Sequence, residues 1–371
     1  MKKILFLIPN LGHGGAEKVL VNLVNHMDKS KFDITVMALY DEGINKEFLS
    51  DEVKYKACFR GSFKGVSHIL KIGTPLMLYS CFIKEHYDVV VSYLEGQTAR
   101  IVSGCADLNT KLVSWIHVEQ HTVKQAARTF RSANEMQKCY LRFDKIVCVS
   151  EFVKSDFCSL VPAKDVIVLY NTIESGKIRK LAEDLIEEHL FMPEEIKLCG
   201  IGTFKKSKGF DRLLRVHKRL RDEGYPVHTY LLGEGEERKS LESYVRAERL
   251  DGTVTFLGYQ TNPYKYLKCC DLFVCTSFAE GFSTAATESL IVGTPVCTVE
   301  VSGMKEMLGE GNEFGIVTKN DEESFYNGVK ELLDHPDLME HYRTQALIRG
   351  RKFDTDNTVE AVEKMLLSLV E

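Results

Sequence analysis

KILFLIPNLGHGGAEKVL, residues 3–20, passes from an apolar run through a glycine-rich turn into a helical pattern. Ile4 to Ile8 are unbroken by any polar residue, which fits a strand buried on both faces, as in a parallel sheet. Gly12 and Gly14 punctuate the turn, and a helix is expected from near Gly15. Glycines let backbone approach a ligand, and the N–H groups that open a helix suit a phosphate. The same pattern also serves a plain tight strand-to-helix turn. It is not a dinucleotide fingerprint, because the third glycine of G-x-G-x-x-G would fall on Glu17, and no G-K-[ST] closes a P-loop. Nor does it read as a secretory leader: the apolar run is too short and no small-residue cleavage site follows.

The same rhythm recurs along the chain. Apolar, β-branched runs stand in KILFLI, DITVMAL, DVVVSY, KLVSWIH, KIVCVS and VIVLYN, then in IKLCGIG, HTYLLG, TVTFLG, DLFVCT, TPVCTV and FGIVT. Helical patterns separate them, so the expected class is α/β, with two doubly wound parallel-sheet domains. With 371 residues the chain has room for two. A charged stretch without a strand, residues 173–195 and closed by Pro193, is read as the linker. Three helical segments finish the chain, the last from about Asp354 to Val370. The expected division is 1–174, then linker and second domain to 353, then a terminal helix over 354–371.

Composition excludes several classes. No run of 18 apolar residues offers a membrane span. The eleven cysteines include no C-x-x-C pair, only the adjacent Cys269 and Cys270. Scattered through apolar segments, they read as reduced core thiols of a cytoplasmic protein rather than metal ligands. The net charge of −5 is uneven: residues 1–174 carry 22 Lys and Arg against 19 Asp and Glu, the remainder 26 against 34. A mildly basic first half fits either an ordinary solvated surface or an approach to an anionic one.

In open α/β sheets ligands sit at the carboxyl ends of the strands, and two such domains facing each other would form a cleft there. Three places then stand out beyond the first turn. After IKLCGIG comes TFKKSKGFDRLL, where Lys205, Lys206 and Lys208 lead into a helix, either as a phosphate clamp or as a solvated basic loop. His117 closes KLVSWIH at a strand end. After DLFVCT comes FAEGFSTAATESLIVGTPV, in which Ser283 is a good N-cap for a helix from Thr284 to about Ile291. Glu280 then lies before the helix and Glu288 one turn inside it. Two carboxylates and the N–H groups of a helix start suit a polyol; alternatively Glu288 is a surface residue. The DTD at 354–356 caps the last helix rather than binding metal.

Taken together, GGAEKVLVNLV, VSEFVKSDF, LYNTIE, KGFDRLL, LLGEGEERKSLE, FLGYQTNPYKYL, AEGFSTAATESLIVGTPV and VSGMKEML resemble, in order, the signature blocks of retaining glycosyltransferase family 4. The resemblance implies the GT-B fold, two Rossmann-like domains with the nucleotide-sugar donor held mainly by the second and the acceptor approached by the first. It implies a terminal helix that returns to the first domain. Glu280 and Glu288 match the E-x7-E motif, Glu280 for donor-sugar hydroxyls and Glu288 for the ribose. The backbone of Phe282, Ser283 and Thr284 would line sugar and diphosphate. Lys208 matches the lysine that neutralises the diphosphate, Gly15 the glycine whose N–H meets a phosphate, and His117 the histidine near the reacting centre. Gly233 and Tyr259-Gln260 fall where base and ribose are held. Gly202 and Thr203 open the lysine loop, and Thr203 departs from the pattern, since an arginine usually stands there. Its loss removes a full charge and a bidentate fork, which Lys205 or Lys206 would have to replace.

GYQTNPYKYL with VSGMKEML most resembles members that build bacterial surface polysaccharides. The expected activity is retaining transfer of a hexose or N-acetylhexosamine from a UDP-sugar to a glycan, with a lipid-linked acceptor. No metal and no cofactor beyond the donor are expected, and no nucleic acid. The expected place is the cytoplasm, peripheral on the inner face of the plasma membrane. Residues 57–84 mix Arg60, Lys64 and Lys71 with Phe59, Phe63, Ile69, Leu70 and Ile72, and read as a helix that either rests on anionic lipid or packs on the sheet. Two other readings stay open: a UDP-sugar epimerase of the same architecture, and a nucleotide-sugar-binding partner without catalysis. An NAD-dependent oxidoreductase is disfavoured by the broken glycine fingerprint.

Overall fold

A computed structural model describes residues 1–12, 14–62, 70–186, 190–191, 194–278, 282–301 and 303–371. The chain divides into two compact units, Met1–Ile173 with Thr355–Glu371, and Glu174–Asp354. Most of the segment read as a linker therefore belongs to the second unit, where Ser175–Ala182 is helical. Pro193 and residues 63–69, with Phe63, Lys64 and Ile69 among them, lie outside the described residues.

Among the described residues, the first unit is built on β1 (Lys2–Ile8), β2 (Phe32–Tyr40), β3 (Lys54–Phe59), β4 (Val89–Ser92), β5 (Lys111–Ile116), β6 (Lys145–Cys148) and β7 (Val166–Val168). They pair in the order β3-β2-β1-β4-β5-β6-β7, all parallel. β1 is buried from Ile4 to Ile8, as its unbroken apolar run requires. Parallel strands need crossover helices, and Gly15–His26 is the first, with Val19, Leu20, Leu23 and Val24 turned inward. The final helix, Thr355–Val370, belongs to this unit. There Glu363 accepts from the Asp28 N–H at 2.6 Å, and the Thr355 hydroxyl donates to the Ile173 carbonyl at 2.8 Å.

The second unit holds β8 (Ile196–Ile201), β9 (Val227–Leu232), β10 (Val254–Gly258), β11 (Leu272–Cys275), β12 (Val296–Val299) and β13 (Ile316–Thr318). The order is β10-β9-β8-β11-β12-β13, again parallel. Leu213, Leu214 and Leu220 of the helix Phe210–Asp222 pack with Leu231, Val274 and Phe325 in its core. In each sheet the strand order reverses beside the first strand, between β1 and β4 and between β8 and β11. These are topological switch points, where crossovers diverge to opposite faces and leave a crevice at the carboxyl ends. The glycine turn, the lysine loop and the Ser283 helix all leave strands at those points.

Two readings change. β3 was not among the expected strands, because KYKACF is half-buried and has no continuous apolar run. Residues 57–59, read as the start of a helix, are the end of that strand. All eleven cysteines are free thiols.

Candidate active site

In the second unit, close backbone packing sets the floor of the site. The Gly202 N–H donates to the Leu232 carbonyl at 3.0 Å, and the Gly233 N–H to the Gly258 carbonyl at 2.8 Å. A Cβ on Gly233 would stand 1.9 Å from the Gly202 carbonyl oxygen, so only glycine lets the ends of β8 and β9 approach this closely. Thr203, Lys205 and Lys206 are exposed on the loop that follows, while Lys208 is half-buried at the end of a 3-10 turn.

Gly209 turns this loop into the helix Phe210–Asp222 with φ of 65°, in the left-handed region. A Cβ there would lie 2.2 Å from the Thr276 carbonyl oxygen. The Thr276 hydroxyl donates to the Gly209 carbonyl at 2.8 Å, and the Phe278 N–H to the Ser207 carbonyl at 2.8 Å. The lysine loop is thus fastened to the segment after β11. Beneath them Arg212, only 3% exposed, donates to the Thr276 carbonyl and to Asn320 Oδ1 at 2.9 Å, with its guanidinium 4.5 Å from the Phe278 ring centre. Burial lowers its basicity, but an arginine stays charged. Sequence reasoning passed over Arg212. Its signal is a cation on the otherwise apolar face formed by Phe210, Leu213 and Leu214.

The segment after β11 enters the helix Thr284–Val292, capped by Ser283, whose Oγ accepts from the Ala286 N–H at 3.3 Å. The helix ends on Gly293 in the left-handed conformation. The Phe282 side chain is buried edge-on to Phe353, 5.8 Å between ring centres, which leaves its backbone as the part available to a ligand. Glu288 lies one turn inside and is half-buried. The Tyr264 hydroxyl donates to its Oε1 at 3.3 Å. Tyr259 is 75% exposed after β10. Gln260 is tied to its own loop, donating to the Leu257 carbonyl at 2.6 Å and accepting from Tyr266 at 3.3 Å. Glu280 lies outside the described residues. The structure therefore brings Lys208 and the start of the Ser283 helix to adjoining strand ends.

In the first unit, Gly15 opens its helix behind Gly14, and no side chain caps the first N–H groups. The turn is braced from the side: Leu11 N–H donates to the Glu42 carbonyl and Asn45 N–H to the Leu11 carbonyl, both at 3.0 Å. Gly15 is exposed, and nothing lies within 4 Å of a Cβ built on it. His117 follows β5 directly and is 6% exposed. Its ring lies 4.9 Å from that of Tyr93, and the His117 backbone N–H donates to Glu95 Oε2 at 3.1 Å. Burial holds the imidazole down at about 3, against the smaller opposing effect of a hydrogen bond to the Tyr93 backbone, so the ring is neutral near pH 7. Its Nε2 is buried and meets no hydrogen-bond partner among the described residues. Burial also raises the Glu95 carboxyl. Glu95 was missed, although it stands after the carboxyl end of β4, at the switch point where such a residue should be sought. Among the described residues no three His, Cys, Asp or Glu side chains group as a metal site.

Two family descriptions match the chain, one on each unit: Glycosyltransferase Family 4 over residues 13–176 and Glycosyl transferases group 1 over 182–349. The chain is 26% identical to the Campylobacter jejuni N-acetylgalactosamine-N,N'-diacetylbacillosaminyl-diphospho-undecaprenol 4-alpha-N-acetylgalactosaminyltransferase, across 99% of this chain and 100% of that protein. Among solved structures it resembles Anabaena HepE in complex with UDP, with a TM-score of 0.78 and 18% identity over 99% of this chain and 100% of that one. It also resembles the apo form of the lipopolysaccharide outer core galactosyltransferase WaaB, with a TM-score of 0.77 and 17% identity over 99% of both chains.

Proposed function

The chain belongs to the family 4 glycosyltransferases with the GT-B fold, and from that membership we propose that it transfers an N-acetylhexosamine or hexose from a UDP-sugar to a polyprenyl-diphosphate-linked glycan, with retention at the anomeric carbon. The observation that carries the reading is the fastening of the Lys208 loop, which follows β8, to Thr276 and Phe278, which follow β11 and lead towards the Ser283-capped helix, at the β8/β11 switch point. A cation and helix N–H groups there suit a diphosphate. Glu288, behind them, suits the hydroxyls of a ribose. The acceptor class rests on the Campylobacter relative, whose name specifies a diphospho-undecaprenol substrate and an alpha linkage.

In the proposed step the acceptor oxygen bonds to the anomeric carbon on the face from which UDP departs. The bond to the β-phosphate oxygen breaks, and the acceptor proton passes to that leaving oxygen. Lys208 and the start of the Ser283 helix stabilise the growing negative charge, which is where such sites gain most of their rate. Neutral His117 offers a hydrogen bond to the donor sugar but no proton of an acid. Glu280 takes the sugar hydroxyls. Gly202, Gly233, Tyr259 and Gln260 shape the nucleotide end. No divalent ion is needed in this scheme, so transfer should persist in EDTA. The protein would work as a peripheral enzyme on the inner membrane face; no described helix is long and apolar enough to span a membrane.

The test is calorimetric titration with UDP and NAD, followed by transfer from a panel of UDP-sugars to polyprenyl-diphosphate glycans. Binding of UDP and consumption of one sugar in the presence of acceptor supports the reading. Binding of NAD alone overturns it, and UDP binding with no transfer to any acceptor favours the non-catalytic partner.

A further inference from the structure

Three residues from different parts of the second unit converge on one phenol. Tyr264 opens the helix Tyr264–Cys269 and is 7% exposed. Its hydroxyl donates to Glu288 Oε1 at 3.3 Å. Its acidity is suppressed first by burial and then by the negative charge of Glu288, with Glu174 and Tyr259 adding to the effect. Tyr259, on the loop after β10, and Glu174, before the helix Ser175–Ala182, therefore share its surroundings. Glu174 is itself paired with Lys177 at 3.2 Å.

The backbone under Tyr264 is fixed. Asn262 Oδ1 accepts from the Tyr264 N–H at 3.2 Å, and Asn262 Nδ2 donates to the Leu181 carbonyl and to Asp184 Oδ2, each at 2.8 Å. A buried donor on a fixed backbone holds one oxygen of a helix carboxylate. A phenol that cannot ionise near neutral pH remains a donor and never repels that carboxylate.

We infer that Tyr264 is a positioning residue that aims Glu288 at the ribose, so that the pair sets preference for ribonucleotide over 2′-deoxyribonucleotide donors. This rests on the proposed reading of Glu288 as the ribose acceptor. A carboxylate held close to one rotamer keeps its hydrogen bond to a 2′-hydroxyl; removing the phenol takes away one of the contacts that fix that rotamer and weakens the bond. Tyr264 touches no substrate atom in this scheme and acts only through Glu288.

The experiment measures the affinities of UDP and 2′-deoxy-UDP for the full chain, wild type and Tyr264→Phe, with Glu288→Gln and the double variant completing a cycle. Thermal unfolding of each variant checks that it is folded. Wild type should prefer UDP by about tenfold or more, the range of one hydrogen bond to a charged group. Tyr264→Phe should weaken UDP by about tenfold, leave 2′-deoxy-UDP within about twofold, and so abolish most of the preference; in the double variant the effects should be less than additive. Equal weakening of both ligands in Tyr264→Phe would make the tyrosine merely structural and overturn the inference. So would an undiminished preference. A wild type that binds both ligands equally, or a Glu288→Gln variant that keeps the preference, overturns the ribose assignment as well. If Tyr264→Phe does not fold, Tyr264→Met takes its place in the same comparison, and an undiminished preference or an equal weakening of both ligands in it likewise overturns the inference.

Discussion

Glu288, one turn inside its helix, and Lys208, on the loop after β8, are both half-buried, and their alanine variants should fail differently. Glu288→Ala removes a charged acceptor, so UDP should bind roughly 10- to 100-fold more weakly, about 1.5 to 3 kcal/mol. Lys208→Ala should lower the rate more than the ground-state affinity, because in the proposed step it faces charge that grows as the diphosphate leaves; roughly tenfold or more in kcat is expected. Steady-state kinetics with calorimetric UDP binding separate the two, and loss of UDP affinity without loss of kcat in the lysine variant would contradict its role. Thr203 is exposed, so Thr203→Arg can be accommodated sterically. If Lys205 or Lys206 already supplies the charge, the arginine will be neutral or harmful, and a large gain in rate would show that the clamp lacks a cation.

The elements explain why part of the site was readable and part was not. The strands that carry it are unbroken apolar runs, and Ser283 and Gly293 bracket their helix with the residue types such ends require. Glu288, Lys208, His117 and Gly15 were legible because each sits at a fixed offset from such a signal. Arg212 was not, since burial of a cation depends on carbonyls brought from Thr276 and on Asn320, more than a hundred residues away along the chain. β3 was hidden for a related reason: an edge strand that stays partly exposed along its length lacks the apolar run of a central one. The backbone packing at Gly233 makes its own prediction. Gly233→Ala must separate β8 from β9 and should destabilise the second unit by more than about 1 kcal/mol while leaving the first unchanged, as read by hydrogen exchange. In the first unit, Arg100 and Arg131 hold the carbonyls of residues 70–73, leaving Ile72, Leu76 and Met77 exposed at 77%, 53% and 59%. Replacing these three by serine should release the protein from anionic liposomes without changing UDP affinity; unchanged liposome binding would leave them as ordinary surface.

At the scale of the molecule, buried neutral histidines tie stability to pH. His217 is fully buried between Thr229 and Thr253, and burial, with the charges of His228 and Arg221, holds it at about 3. Its unfolded value lies near 6.5, so the unfolded chain binds the proton over the intervening range. The stabilisation is complete above pH 6.5 and falls as pH drops towards 3, by up to about 1.4 kcal/mol per pH unit. His117 acts in the same direction in the first unit, partly offset by Glu95, whose raised carboxyl favours the folded state in acid. Thermal midpoints should therefore fall between pH 7.5 and pH 5, and His217→Asn should flatten that dependence in the second unit.

The central claim is that this chain moves a sugar from UDP to a lipid-linked glycan with its anomeric configuration kept. NMR of the product formed from a UDP-α-sugar and a polyprenyl-diphosphate glycan tests it most directly, with UDP release followed in the same tube. One UDP per sugar transferred and a new α linkage, lost in Lys208→Ala, are expected; a β linkage, or UDP-sugar isomerised with no UDP released, would contradict transfer with retention.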